Sequence, residues 1–212
     1  MMTGSPPHLV RLGTVYGGWT VPRDLLEPGF RCYCVGAGED ISFEEELISN
    51  YQCEVHSFDP TPRAIAHADN QKEIVPALNF HPIGVWSDNE RKQFFAPRDP
   101  RHVSHSIVNI QDTADSFEAD CKTVAAVMDE LGHDSIGLLK LDIEGAEHAV
   151  IGQMLIDGVR PDVICVEMER PVRFAQFRKT VRDVVKAGYE LVADVEFDLT
   201  FVRQDVARRL VQ

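Results

Sequence analysis

Apolar residues along this chain fall into short runs of strand length, and most runs are followed by a stretch with helical spacing. Phe30 to Gly36, FRCYCVG, is an apolar run closed by glycine, and in the following ISFEEELISNY Phe43 and Leu47 stand one helical turn apart. The pair predicts strand, turn, helix. CEVHSFDPTP alternates toward Phe58 and breaks at Pro60 and Pro62, which predicts a second strand, a loop and a helix from about Arg63 to Asp69. LNFHPIGVW around Phe80 reads as a third strand, and the polar, proline-marked SDNERKQFFAPRDPRHVSHS behind it as an insertion with a small hairpin near Gln93 to Ala96. VAAVMDELGH is a helix closed by Gly132, SIGLLKLD a buried strand, AEHAVIGQMLIDG a helix closed by Gly158, and VICVEME another strand. VRFAQFRKTVRDVVKAG then gives a long helix, and YELVADVEFDLTFVRQD two strands turning over near Glu196 to Asp198.

Strand and helix alternate for almost the whole chain, which implies a mostly parallel sheet with helices on both faces; the terminal hairpin brings in one antiparallel strand. At 212 residues the chain fits one domain, 1–212, with 1–29 as an N-terminal arm.

The formal charge of −13, from 34 acidic and 21 basic residues, sets a field that repels a phosphate backbone, so nucleic acid is a poor partner. The five cysteines lie mostly inside strand-like apolar runs and show no zinc-ligand spacing. They read as buried thiols, natural to a reducing cytoplasm. The start, MMTGSPPHLV, does not have the pattern of a secretory signal, and no run approaches the length of a membrane helix.

The first strand ends in Val35, Gly36, Ala37, Gly38, Glu39, Asp40. In an open α/β sheet ligands bind beyond the carboxyl ends of the strands, and two glycines permit a tight turn with close backbone approach. Alone they mark only a strand-to-helix turn. Asp59, 21 residues after Gly38, adds an acid at the offset of a ribose-binding carboxylate. The dinucleotide fingerprint requires a third glycine where this chain has Ile41, which disfavours NAD, and no Tyr/Lys pair of an oxidoreductase is identifiable. Glu39 and Asp40 would repel a pyrophosphate and suit a cation; S-adenosylmethionine carries an ammonium and a sulfonium and no phosphate. Their alternative use is capping of the helix.

CVGAGEDISFEEEL, VHSFDPTP, LLKLDIEGAEHAVI and VICVEME together resemble the FkbM-type methyltransferases, over roughly Gly13 to Glu169, with LKLDIEGAE from Leu139 to Glu147 the most specific piece. YGGWTVP, Tyr16 to Pro22, resembles an arm ahead of the first strand in part of that family. The resemblance implies a Rossmann-like class I methyltransferase fold, a doubly wound seven-stranded sheet with a C-terminal antiparallel strand. It also implies methyl transfer from S-adenosylmethionine to a hydroxyl on a sugar, polyketide or other secondary metabolite. A non-catalytic cofactor-binding or protein-interaction domain is the rival. By position, Gly36, Ala37, Gly38 and Glu39 would bound the methionine end, Asp59 with Pro60 the ribose, and Gly84, Val85 and Trp86 the adenine. Trp86 has an alternative as a half-buried packing aromatic.

Methyl transfer to a hydroxyl needs the oxygen in line with the methyl–sulfur bond and a group to take its proton. Asp142, ending the fourth strand beside Gly36, is the first candidate for base, acceptor anchor or cofactor contact, its alternative being a helix N-cap. Glu144 follows it in the catalytic set, and His105 in Ser104 to Ser106 is a further candidate base. Glu147 and His148 read as structural, and Lys140, within a sheet covered on both sides, must either snorkel or pair with an acid and reads as structural or supporting. Asp142 and Glu167, with Glu144, permit Mg2+ without requiring it; no metal is expected. Trp19 is expected either over the crevice or packed on the domain edge. The short chain leaves the lid to the arm, the Asp88 to Asn109 insertion, or the second subunit of a homodimer.

Overall fold

A computed structural model describes residues 8–96, 107, 113, 115–168 and 174–209. In chain order the strands and helices are β1 Leu9–Leu12, β2 Trp19–Pro22, β3 Arg31–Val35, α1 Ser42–Tyr51, β4 Glu54–Phe58, α2 Pro62–Gln71, β5 Leu78–His81, β6 Gly84–Val85, β7 Arg91–Phe95 and β8 Ser116–Lys122. They continue with α3 Val124–Leu131, β9 Leu138–Leu141, α4 Glu147–Ile156, β10 Val163–Glu167, α5 Phe174–Lys186, β11 Tyr189–Val195, β12 Asp198–Arg203 and α6 Gln204–Arg209. Among the described residues the central sheet has seven strands in the order β11-β12-β10-β9-β3-β4-β5. β5, β4, β3, β9 and β10 run parallel, and β12 is antiparallel to both of its neighbours. The doubly wound sheet expected from the alternation is therefore present.

Alternation within the strands sends side chains to two separate cores. Tyr33, Val35, Leu139, Leu141, Ile164 and Val166 meet Val124 and Val127 of α3, Val150, Ile151 and Met154 of α4, and Val184 of α5. Cys32, Cys34, Leu138, Val163 and Cys165 meet Phe43 and Leu47 of α1, Val206 and Ala207 of α6, and Leu12, Trp19 and Val21 of the arm. Ile41 packs with Ala37 and Val75 in a small third cluster, so the side chain in place of the third glycine fills apolar space. All five cysteines are buried free thiols. Among the described residues no helix is long and apolar enough to cross a membrane.

Helix ends follow local chemistry. Thr61 and Thr123 accept the N–H of Ala64 and Ala126 at the starts of α2 and α3, and Gly132 closes α3 in the left-handed region. One local expectation is overturned: Gln93 belongs to no short hairpin. β7 pairs antiparallel with β8, more than twenty residues on, and β8 also takes β6 as a parallel neighbour. One face of β8 is partly covered, and its sequence SFEADCK alternates accordingly, with Phe117, Ala119 and Cys121 on the covered side.

The arm is a β1–β2 hairpin lying on the sheet face of α1 and α6, with the Thr200 hydroxyl donating to the Thr20 carbonyl at 2.7 Å. Trp19 is 2% exposed and supplies most of the apolar seal. Trp19→Ala is expected to cost about 3–5 kcal/mol of folding stability, as for other large-to-small changes at buried aromatics; equilibrium urea unfolding measures it, and a cost below about 1 kcal/mol would mean the arm is not docked.

Candidate active site

Strand order reverses between β3, which leads to β4 on one side, and β9 on the other, and this is where an open α/β sheet forms a ligand crevice. The turn after β3 is built by contact. Gly36 has φ +85°, and a Cβ on it would lie 1.8 Å from the carbonyl oxygen of Asp142, so no other residue fits. Gly36 N–H donates to Phe58 O at 2.9 Å and Asp142 N–H to Val35 O at 3.1 Å, joining the ends of β3, β4 and β9.

The crevice that results takes in about 1060 Å3 when the open solvent at its mouth is included. Gly36, Ala37, Gly38, Glu39, Asp59, Pro60, Gly84, Val85, Asp142, Glu144 and Glu167 all line it. Asp59 accepts Gly38 N–H at 2.9 Å on one oxygen and Thr61 N–H at 2.8 Å on the other. Each oxygen of an ionised carboxylate accepts two hydrogen bonds, so this pre-oriented group keeps one position per oxygen for a ligand. Glu39 is paired with Arg63 at 2.6 Å. Asp40 accepts Ser42 N–H at 3.0 Å and the Thr14 hydroxyl at 2.6 Å. Burial opposes its charge, but the bonds from Ser42 and Thr14 prevail and hold its carboxyl below the usual range. Asp40, one residue before the N-cap Ile41, thus takes up the first N–H of α1 and ties down the arm while also facing the crevice.

Lys140, 4% exposed, donates to Gly36 O at 2.6 Å and stands 3.4 Å from Asp142 Oδ2. Burial disfavours its charge, yet Asp142 and the buried Glu44 outweigh that and raise its pKa. Glu167 is pushed up to about 10 by its hydrogen bond to Asp142, then by burial and by the Asp142 charge. It therefore keeps a proton at neutral pH, and Asp142 is held between Lys140 and the Glu167 hydroxyl. Glu144 adopts φ +55° in the turn before Gly145, a backbone state rare for a residue with a Cβ.

Several expectations are resolved differently. Asp142 is not a helix N-cap: Ala146 holds that position with no side-chain cap, and Glu147 reaches back to accept Ile143 and Gly145 N–H, both at 3.1 Å. Trp19 does not cover the crevice, because the alternation of β2 turns it into the core, 6.0 Å from Lys140 Nζ. Tyr16 and Gly17 line the mouth instead. The Tyr16 hydroxyl is raised by burial and then by Asp142, Glu144 and Glu167. Trp86 packs against the core of α3–α5 and is absent from the lining, where Phe94 of β7 and Ile107 appear. His148 bonds the Thr180 hydroxyl at 2.7 Å, joining α4 to α5. His105 lies outside the described residues. As for Mg2+, Glu167 shares a hydrogen bond with Asp142, and among the described residues the carboxylates of Asp142, Glu144 and Glu167 do not gather into a group of three ligand atoms within 4.8 Å of one another.

The family model "Methyltransferase FkbM domain" matches residues 32–191. The human probable methyltransferase-like protein 24 is 26% identical over 169 residues, 78% of this chain and 40% of the relative; its rat counterpart is 26% identical over 193 residues, 90% and 46%. The chain thus spans less than half the length of either. Among solved structures, a fibrillarin pre-rRNA processing protein of Methanococcus jannaschii gives a TM-score of 0.48 at 9% identity, covering 84% of this chain and 68% of that one. A Streptococcus thermophilus rRNA methylase gives 0.46 at 8%, covering 85% and 90%. Neither reaches 0.5, and neither bears on what this chain binds or modifies.

Glu147 is 1% exposed, and burial, opposed by the N–H groups it accepts, lifts its carboxyl to about 7 from 4.5. The folded chain therefore binds this proton better than the unfolded one, so stability is full below pH ~4.5, falls as pH rises toward ~7, and stays low above. Glu147→Gln keeps the acceptor oxygen without the charge. Its melting temperature relative to the parent should climb between pH 5 and pH 8, and a pH-independent difference would refute the raised carboxyl.

Proposed function

Because the chain belongs to the FkbM methyltransferase domain family, whose methyl donor is S-adenosylmethionine, we propose that this crevice seats that cofactor and directs its methyl group to a hydroxyl on a sugar, polyketide or related secondary metabolite. The seven-stranded sheet with its antiparallel β12 is that of the Rossmann-like class I methyltransferases. The observation that carries the reading is the charge of the lining. Glu39, Asp40, Asp59, Asp142, Glu144 and Glu167 face the crevice, and among the described lining residues Lys140 is the one cation, already engaged by Gly36 O and Asp142. Such a site suits a ligand with positive charge and no phosphate.

Bound there, S-adenosylmethionine supplies an electrophilic methyl on a positively charged sulfur. The residues present fit it: the Gly36 turn leaves backbone exposed where a Cβ has no room, and Asp59 has acceptor positions for two ribose hydroxyls. In this reading Gly36, Ala37, Gly38 and Glu39 border the amino-acid end, Pro60 flanks the ribose, and Gly84 and Val85 wall the base. Asp142 orients the acceptor hydroxyl and takes its proton, with Glu144 beside it; Lys140 and Glu167 fix the Asp142 carboxylate. The arm, through Tyr16, excludes water at the mouth. We read the chain as one unit of this kind, 1–212, and its reduced thiols fit a cytoplasmic setting.

Titration calorimetry with S-adenosylmethionine and S-adenosylhomocysteine, with and without Mg2+, tests the reading. Micromolar binding is expected, weakened at least tenfold in Asp59→Ala. No binding under any condition would overturn it. Asp142→Asn should reduce single-turnover transfer to a glycosylated or polyketide hydroxyl acceptor by about 100-fold or more, within the usual range for a general base, while changing cofactor affinity by less than tenfold. Equal loss of binding and turnover would remove Asp142 from proton transfer. Binding with no transfer to any acceptor would favour the non-catalytic alternative.

A further inference from the structure

On the sheet face covered by α3, away from the crevice, three histidines gather near one carboxylate. Glu54 and His56 project from β4 on the same face, His133 follows α3, and His81 ends β5. Glu54 Oε1 lies 3.1 Å from His56 Nε2 and 3.5 Å from His133 Nε2, and one ligand atom from each of these three residues lies within 4.8 Å of the others. Ligands held at 2.0–2.1 Å on a tetrahedral ion are separated by roughly 3.3 Å, so the two short spacings also match edges of a coordination tetrahedron. None of these residues lines the crevice, and among the described residues this is the one histidine, cysteine and carboxylate group with such spacing.

We infer that Glu54 Oε1, His56 Nε2 and His133 Nε2 form a binding site for a divalent transition metal of the zinc type, with water in the fourth position. Two imidazoles and one carboxylate match the preference of Zn2+ and its neighbours, whereas Mg2+ and Ca2+ favour sets made of oxygen. The far side of each ligand is already held, as metal-binding imidazoles require. His133 Nδ1 lies 2.6 Å from the Tyr33 hydroxyl and His56 Nδ1 lies 3.0 Å from His81 Nε2. Arg31 grips the other Glu54 oxygen from Nε at 3.0 Å and Nη2 at 2.9 Å, leaving Oε1 to face the histidines. Glu54 is the more exposed member, its side chain 35% accessible, which gives the ion a way in.

The network accommodates the ion without losing or gaining a proton. Without metal, both Nε2–H groups donate to Glu54 Oε1, and the Nδ1 atoms accept from the Tyr33 hydroxyl and from His81 Nε2–H. With metal, each imidazole carries its proton on Nδ1 and donates it to the Tyr33 oxygen or to His81 Nε2, while His81 moves its own proton to its Nδ1. Hydroxyl and imidazole can each reverse roles, so the inversion strands none of these Nδ1 contacts. The ion would join the start of β4 to the segment between α3 and β9, clasping the sheet at the end opposite the crevice.

The full chain, stripped with a chelator, should bind one equivalent of Co2+ with the intense visible absorption of a four-coordinate ion, and Zn2+ should displace it. Zn2+ should also raise the melting temperature in proportion to the logarithm of its concentration above Kd. His133→Ala and Glu54→Gln should each weaken Zn2+ at least 100-fold, and the positioning variant Tyr33→Phe, which keeps the ring, about tenfold with an altered Co2+ spectrum. Circular dichroism checks that each variant folds. Absence of binding to the parent chain, a six-coordinate Co2+ spectrum, or affinity unchanged in all three folded variants would overturn the site. These readouts need no S-adenosylmethionine, so the outcome is independent of the proposed activity.

Discussion

The meeting of Gly36 with the Asp142 carbonyl organises the rest of the site. Side chains cannot enter that contact, because a Cβ would fall 1.8 Å from the oxygen. β3 and β9 can therefore be cross-linked there only through backbone, and the Asp142 N–H to Val35 O bond does so. Once the two strand ends are this close, the Gly36 carbonyl needs a donor, which Lys140 supplies at 2.6 Å from inside the sheet. A buried ammonium is costly unless paired, and Asp142 and Glu44 meet that requirement from two sides. One steric constraint thus accounts for the glycine, the lysine and two acids, drawn from two stretches of sequence with Gly36 and Lys140 104 residues apart.

The same placement determines how much negative charge the crevice can hold. Crowding carboxylates is unfavourable, and three devices relieve it: Arg63 neutralises Glu39, hydrogen bonds from Ser42 and Thr14 stabilise Asp40, and Glu167 retains its proton against Asp142. The last lessens the repulsion between two acids that end neighbouring strands. What remains is an oriented, partly neutralised acidic wall, more selective for a cation than a solvent-exposed cluster of the same composition would be.

Much of this was legible in the sequence because it is local. The alternation of FRCYCV and LLKL, the glycines after β3, the acid after β4 and the DIEG turn are each confined to a few residues, and each is found at the end of a central strand. What escaped depends on distant partners. β8 alternates as SFEADCK, but its partner β7 lies across a polar insertion and only the fold brings the two together. Trp19 and Tyr16 sit in one motif, and only the docking of the arm decides which of them turns into the core. Glu147, within the family-like signature, is directed inward by N–H groups that exist only once the turn has formed. The histidine cluster carries no motif, since His56, His81 and His133 come from β4, β5 and the segment between α3 and β9, which the parallel pairing of β9, β3, β4 and β5 brings together.

That register also separates two kinds of buried polar chemistry on the same strands. In β3 and β9, Cys34 and Lys140 point to the arm and α1, where the charge of buried Glu44 favours the ammonium. In β3 and β4, Tyr33 and His56 point the other way, toward α3, where their ring centroids are 5.6 Å apart. A one-residue slip would exchange the faces, placing Lys140 in the aliphatic core of α3–α5 and the imidazoles against Trp19. Each polar group would then lose its partner, at a cost of roughly 1–3 kcal/mol apiece and more for the charge. The polar residues inside this sheet therefore do more than serve a site: they penalise every register but one.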